Sequence, residues 1–87
     1  MDARFDLAAI EQARGQLGSA EAVLEAAVRL EPANAETWRR LGRLRLEALG
    51  RPREALGPLR AAYFLDPRSP ISTSELLEVT RAIEAGG

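Results

Sequence analysis

Arg39 and Arg43 are the side chains whose type and spacing come closest to a binding site in this sequence. Residues four apart lie on one face of a helix, so two guanidinium groups would project side by side. Guanidinium groups bind carboxylates through paired hydrogen bonds. The same arginines could instead pair with acidic side chains of their own chain, and the sequence leaves both interpretations open.

Side chains suited to catalysis are scarce. The 87 residues include no cysteine, no histidine and no lysine, so all twelve basic side chains are arginine. This composition removes thiol nucleophiles, Schiff-base chemistry, the commonest general base and nearly all zinc sites. Glutamates at helical spacing, Glu21 with Glu25 and Glu75 with Glu78, are interpreted as solvated faces. We therefore expect no enzyme, no cofactor and no metal site.

Charge is unevenly distributed along the chain, although its net value is only −1. Residues 1–37 have a net charge of −4, residues 38–60 of +5 and residues 61–87 of −2. A basic centre could attract an acidic partner. Acidic helices packed beside the centre could also neutralise it, and this internal interpretation is slightly favoured.

The elements that would position the arginines repeat along the chain. Five residues recur at a lag of 35, with Ala20, Leu24, Ala27, Leu30 and Pro32 returning as Ala55, Leu59, Ala62, Leu65 and Pro67. Leu7-Ala8 also returns as Leu41-Gly42 at a lag of 34. Periods in this range indicate stacked helical units that bury one face against their neighbours. The repeated alanines and Gly42 are expected where helices cross closely.

Turn signals divide these repeats into five helices. We expect helices over residues 2–14, 20–30, 35–49, 52–65 and from about 72 to the C-terminal glycines. Gly15 and Gly50 would end the first and third helices, Gly15 in the left-handed conformation that favours glycine. Ser19 and Asn34 are the candidate N-caps of the second and third helices, and Pro32 stops the second.

Two local signals concern the last two helices. Pro58 lies about six residues into the fourth helix, where it removes a hydrogen bond and clashes with the preceding turn. It predicts a kink, or a frayed first turn with regular helix resuming at Pro58. Ser72 and Glu75 have the spacing of a capping box for the fifth helix, and Ile71 could pack on Leu76 as a hydrophobic staple.

These residues resemble the tetratricopeptide repeat, whose unit is a helical hairpin of about 34 residues. In the second unit the resemblance rests on Trp38, Leu41-Gly42, Gly50, Ala55, Leu59, Ala62 and Leu65-Asp66-Pro67. In the first unit it rests on Leu7-Ala8, Gly15, Ala20, Leu24, Ala27 and Leu30-Glu31-Pro32. The first unit departs from the pattern at Arg4, where the family has a bulky residue. The second unit carries one extra residue between Gly42 and Gly50, which predicts a longer or bulged helix.

The resemblance implies a fold and a binding surface. The fold is all-α, a right-handed stack of two antiparallel helical hairpins (residues 1–34 and 35–69) with a solitary capping helix over residues 70–87, all in one domain. The first helix of each hairpin would line a concave face, and the capping helix would extend it. On this sequence the face holds Asp2, Phe5, Ala9, Gln12, Arg39, Arg43, Leu46, Glu47, Ser74 and Glu78.

The resemblance also suggests what the concave face would bind. Arg39 and Arg43 beside Phe5 could hold a carboxylate and an adjoining apolar side chain of an extended peptide. One branch of the family clamps the C-terminal carboxylate of chaperone peptides with lysine and asparagine. Those places read Phe5, Ala9, Arg39 and Arg40 in this sequence, so chaperone-tail binding of that kind is not expected.

The sequence thus predicts a non-catalytic adaptor that binds an extended or helical peptide, with an acidic partner favoured by the arginines. The alternative is a structural unit that self-associates or docks within a longer protein, covering Trp38, Tyr63 or Phe64 if they are exposed. An isoelectric point near 5.5 lacks the footprint of nucleic-acid binding. No apolar run approaches the roughly 20 residues that span a bilayer, and no secretory leader is seen. We expect neither nucleic acid nor membrane as partner, and a cytoplasmic location.

Overall fold

The computed structural model describes residues 3–86, which form five helices and contain no strand. Helix α1 spans Ala3–Ala13, α2 spans Leu17–Leu30, α3 spans Ala35–Arg43, α4 spans Pro52–Leu65 and α5 spans Pro70–Ala85. Helix α3 continues directly into a π-helical segment, Leu44–Ala48. The predicted all-α class and five helices are confirmed, and the expected start at Asp2 lies outside the described residues. Within residues 3–86, no helix has both the length and the apolar character needed to cross a membrane.

The helices pack as two hairpins followed by a single helix. Contacts are most extensive between α1 and α2, between α3 and α4, and between α4 and α5, and α2 joins the two hairpins through α3. Gly15 and Gly50 adopt φ values of +77° and +63° at the ends of the first helix of each hairpin. These left-handed conformations favour glycine, as predicted for Gly15.

Small residues lie at the helix crossings, as the repeat predicted. Ala20, Ala27, Ala55 and Ala62 are all at most 1% exposed. A Cβ atom added to Gly42 would lie 2.5 Å from Cγ and Cδ2 of Leu59, so only glycine allows α3 and α4 to approach this closely. Larger side chains fill the space around these contacts. One buried cluster contains Ala8, Ala20, Leu24, Val28, Leu41 and Leu44, and a second contains Ala55, Leu59 and Val79.

The extra residue of the second unit is accommodated by the π-helical segment. The N–H of Leu49 donates to the carbonyl of Leu44 at 3.0 Å, a separation of five residues instead of four. An α-helix that gains one residue absorbs it as such a bulge without shifting the residues on either side. The predicted bulge is confirmed, and Ala48 and Leu49 at its far end still pack against the buried cluster that contains Leu41 and Leu44.

Helix α4 continues through Pro58. It begins at Pro52, whose missing N–H costs nothing at the first helical position, and it runs unbroken to Leu65. The alternative prediction of a frayed first turn is therefore wrong. Pro58 is buried in the helix and cannot donate to the carbonyl of Glu54. Instead, Nη1 of Arg45 donates to that carbonyl at 3.4 Å.

Two of the predicted N-caps do not occur. Helix α2 begins at Leu17, so Ser19 lies inside its first turn instead of capping it. Helix α5 begins at Pro70, and the capping side chain is Ser69, which accepts a hydrogen bond from the N–H of Ser72 at 3.3 Å. The capping box of Ser72 and Glu75, with its staple from Ile71, is therefore wrong. The Ser69-Pro70 pair supplies both a cap and a favourable first residue one turn earlier.

The third predicted N-cap is confirmed. Oδ1 of Asn34 accepts a hydrogen bond from the N–H of Glu36 at 3.0 Å, so it satisfies one of the free donors at the start of α3. This cap fixes the first turn of the helix that carries Arg39 and Arg43.

Candidate functional site

A groove of about 280 Å³, open to solvent, lies between α1 and α3, and we call it the α1–α3 groove. Six of the residues predicted for the concave face line it: Phe5, Ala9, Gln12, Arg39, Arg43 and Glu47. They come from the first helix of each hairpin, because stacking two hairpins sets α1 beside α3. The groove therefore joins an apolar side contributed by α1 to a charged side contributed by α3.

Other predicted residues lie elsewhere. Leu46 packs against the buried cluster of Ala55, Leu59 and Val79, so it points into the core between α4 and α5. Ser74 and Glu78 are exposed on α5 and do not line the α1–α3 groove. Asp2 lies outside the described residues.

Arg40 also lines the groove, although the sequence prediction did not include it. Its guanidinium carbon lies 4.3 Å from the centroid of the Phe5 ring, a cation–π contact that connects α3 to α1. Nε of Arg40 also donates to Glu36 at 3.1 Å. The four-residue spacing between Glu36 and Arg40 is the sequence signal that predicts this contact, because residues four apart lie on one face of a helix.

Arg39 binds two glutamates from two different helices. Its Nε donates to Oε2 of Glu36 at 3.1 Å, and its Nη2 donates to Oε1 of the same carboxylate. Its Nη1 donates to Oε2 of Glu75 on α5 at 3.3 Å. Arg39 thus makes two hydrogen bonds to a glutamate of its own helix and one hydrogen bond to a glutamate of α5.

Arg43 has the same arrangement one turn later. Its Nη2 donates to Glu47 at 2.6 Å, and its Nη1 lies 3.3 Å from Oε2 of Glu75. One oxygen of Glu75 therefore faces both predicted guanidinium groups. Glu75 is only 6% exposed, which makes it the most buried charged residue in this cluster. Among the described residues, its other oxygen, Oε1, has no hydrogen-bond partner.

Two glutamates of the cluster, the buried Glu75 and the half-buried Glu36, have pKa values that are shifted in opposite directions. Burial raises the pKa of Glu75 above the ordinary glutamate value, and the attraction of Arg39 and Arg43 opposes this rise only in part. Burial acts in the same direction on Glu36. However, its hydrogen bond with Arg39 and the nearby charges of Arg39 and Arg40 outweigh burial and lower the pKa of Glu36.

A second ion cluster joins the hairpins outside the groove. Nε of Arg45 donates to Glu21 at 2.8 Å, and its Nη2 donates to Glu25 at 2.9 Å. The interpretation as a solvated face is therefore wrong for Glu21, whose side chain is 17% exposed, whereas the side chain of Glu25 remains 43% exposed. Glu75 is likewise buried, contrary to the prediction, whereas Glu78 is exposed as predicted. The internal neutralisation of the basic central segment is confirmed for Arg39, Arg43 and Arg45.

The groove lining combines apolar, amide, guanidinium and carboxylate side chains. It offers an aromatic ring, an amide and three guanidinium groups, without a nucleophile beside a base. Within residues 3–86, no three acidic side chains converge as metal ligands.

Comparison with known families identifies the repeat. The sequence model of the tetratricopeptide repeat matches residues 1–44, which include α1, α2 and α3 and therefore most of the groove. No curated protein is similar enough in sequence to match the chain.

Proposed function

Because the chain belongs to the tetratricopeptide repeat family, whose helical stacks serve as protein–protein interaction modules, we propose that it is a non-catalytic adaptor binding a peptide in the α1–α3 groove. The observation that carries this proposal is the convergence of Phe5, Arg39 and Arg43 from two hairpins on one groove. An apolar side chain of the peptide packs on Phe5 and Ala9, and an acidic group binds the guanidinium groups.

The existing ion pairs of the groove do not prevent this binding. Arg43 and Glu47 have side chains that are almost half exposed. Exposed pairs of this kind contribute about 0–1 kcal/mol to stability, so a peptide carboxylate can replace Glu47 at small cost. The groove is open to solvent, so an extended chain bound in it can continue beyond the groove.

Selection from a random peptide display library on the whole chain tests the proposal. The selected peptide is titrated against wild type and against Arg39→Gln/Arg43→Gln, with Arg53→Gln/Arg60→Gln as the matched control on α4. Neutral substitutions are preferable to charge reversal, because reversal would set two further carboxylates beside Glu75. The groove variant should lose binding while the control retains it. Equal affinity of all three proteins would refute the proposal.

Folding of the groove variant is controlled separately. Circular dichroism compares each variant with wild type. A third variant, Arg39→Gln/Arg43→Gln/Glu75→Gln, removes the buried carboxylate together with its partners. This protein leaves no unpaired charge in the interior, so loss of binding in a folded sample is attributable to the missing guanidinium groups.

Self-association is a second candidate function, and the exposed aromatic side chains favour it. Phe64 is 82% exposed on α4, whereas Trp38 is half-buried and donates its indole N–H to the carbonyl of Pro32 at 2.7 Å. Light scattering over a range of concentrations tests this function, with Phe64→Ser as the variant. A mass that rises with concentration and falls in the variant would support it, and a constant monomer mass would refute it.

A further inference from the structure

Glu75 makes with Arg39 and Arg43 the ionic contacts that an acidic ligand of the groove would make, although Glu75 itself lies outside the groove lining. Its Oε2 lies 3.3 Å from Nη1 of both Arg39 and Arg43, so one carboxylate oxygen connects two guanidinium groups of successive helical turns. This is how two arginines four residues apart would hold a peptide carboxylate. Glu75 belongs to α5, whereas both arginines belong to α3, so the contact depends on the docking of the last helix.

The position of Glu75 is poorly suited to a purely structural ion pair. Oε1 has no partner among the described residues, and a buried polar atom without a hydrogen bond destabilises the folded state. Helix α4, against which α5 packs, contributes the apolar Ala55 and Leu59 to a cluster with Val79 of α5. Glu47, on the π-helical segment, adds repulsion to the carboxylate of Glu75. A well-packed apolar residue would be at least as stabilising as such a pair.

The charges of the cluster balance when Glu75 is ionised. Three guanidinium groups, those of Arg39, Arg40 and Arg43, stand against the three carboxylates of Glu36, Glu47 and Glu75. Glu36 and Glu47 are half exposed and can turn into solvent when a ligand enters. Glu75 is enclosed and stays beside Arg39 and Arg43.

We propose that Glu75 competes with the acidic group of a bound peptide for Arg39 and Arg43, so that loss of its negative charge strengthens binding of anionic peptides. This inference rests on the proposed function of the α1–α3 groove. Glu75 lies outside the groove lining and sets how strongly the groove prefers negatively charged ligands. Glu75 acts through the two arginines and does not touch the ligand.

A pH dependence follows from the surroundings of Glu75. Burial raises the pKa of Glu75, so it becomes neutral at a pH where solvent-exposed carboxylates are still ionised. The groove then gains one net positive charge. Mild acidification therefore strengthens capture of a ligand whose own charge does not change.

The probe for this experiment is a fluorescently labelled octapeptide of alternating leucine and cysteate. Its sulfonate groups stay ionised throughout the range, so the titration reports the protein alone. Anisotropy measures its dissociation constant with wild type, Glu75→Gln, Glu84→Gln and Arg39→Gln/Arg43→Gln, from about pH 7 to about pH 5. Glu84 is an exposed glutamate of the same helix and serves as the matched control.

Glu75→Gln should bind the probe about fivefold more tightly than wild type at neutral pH, and Glu84→Gln should match wild type. Wild type should tighten as the pH falls, whereas the affinity of Glu75→Gln should change little. This flat profile separates competition from a merely structural role. If Glu75→Gln does not fold, Glu75→Leu replaces it in the same titration, because an apolar side chain of similar size also removes the negative charge.

Two results would overturn the inference, and they differ in what they say about the groove. Equal affinity and equal pH profiles of wild type and Glu75→Gln, with binding lost in Arg39→Gln/Arg43→Gln, would refute competition and leave the groove as the binding site. Failure of both wild type and Glu75→Gln to bind, or unchanged binding by the double arginine variant, would refute anionic recognition by the groove and the inference with it.

Discussion

Nη1 of Arg45 lies 3.4 Å from the carbonyl oxygen of Glu54, the helical acceptor that Pro58 leaves without an N–H donor. The same guanidinium donates to Glu21 and Glu25 on α2. One side chain from the π-helical segment therefore links the first hairpin to α4 and supplies the bond that proline removes. This relationship explains how α4 contains a buried proline and remains continuous.

Replacing Arg45 should destabilise the stack. Arg45→Met removes both ion pairs and the donor to Glu54 and leaves the half-buried Glu21 without this partner. We expect a loss of about 2–4 kcal/mol in the free energy of unfolding, measured by urea denaturation. Arg60→Met, at an exposed position of α4, should change stability by less than about 0.5 kcal/mol. Similar values for the two variants would show that the Arg45 contacts contribute nothing.

The bond between Arg45 and Glu54 is tested by a double-mutant cycle with Pro58. Pro58→Ala restores an N–H that can donate to the carbonyl of Glu54. The cost of Arg45→Met should therefore be about 0.5–1.5 kcal/mol smaller in the Pro58→Ala background than in wild type. Strict additivity of the two substitutions would mean that Arg45 does not replace the missing helical donor.

Glu36 should stabilise the fold at neutral pH. Its pKa is lowered in the folded state, so its contribution is present above the unfolded pKa and is lost as the pH falls through the folded pKa. Glu36→Gln should thus be less stable than wild type at pH 7, and the difference should shrink on acidification. Urea denaturation across a pH series measures it. A difference that does not depend on pH would contradict this assignment.

Glu75→Gln should show the opposite pH dependence in the same experiment. Its pKa is raised in the folded state, so its contribution to stability is fully present below the unfolded pKa and is lost as the pH rises through the folded pKa. Glutamine resembles the neutral acid, so the stability of Glu75→Gln relative to wild type should be greatest near pH 7 and decline on acidification. The same trend for Glu36→Gln and Glu75→Gln would contradict the two environments described.

Gly42 should be intolerant of a side chain. Gly42→Ala places a Cβ within 2.5 Å of Leu59, which is fully buried and has little room to move. We expect overpacking to cost about 1–3 kcal/mol in thermal or urea unfolding. Gly18→Ala is the control, because a Cβ at Gly18 meets nothing within 4 Å and the substitution favours the helix. A neutral Gly42→Ala would contradict the close crossing of α3 and α4.

Features of the fold that depend on periodic packing were predictable from the sequence. Ala20 and Ala55 must be small because a helix crosses at each of them, and the 35-residue lag shows this requirement twice. The extra residue before Gly50 likewise predicted the bulge that became the π-helical segment. Many of the residues that line the α1–α3 groove were also predictable from the sequence, because stacking the two hairpins sets α1 beside α3.

Features that depend on contacts between distant residues were not predictable in this way. Ser72 and Glu75 match a local capping signature, but Ser69 with Pro70 starts the helix one turn earlier. Glu75 is then available to Arg39, which lies 36 residues away in sequence. The repeat does not predict that pairing, because the pairing depends on how α5 packs against α4.

Mapping a selected peptide by two-dimensional NMR tests the central claim most directly. The amide resonances of the chain are recorded with and without the peptide obtained by display selection. Binding in the α1–α3 groove predicts that the largest shift changes occur at Phe5, Ala9 and Gln12 on α1 and at Arg39 and Arg43 on α3. Changes confined to the surroundings of the exposed Phe64 on α4, with α1 unaffected, would contradict it.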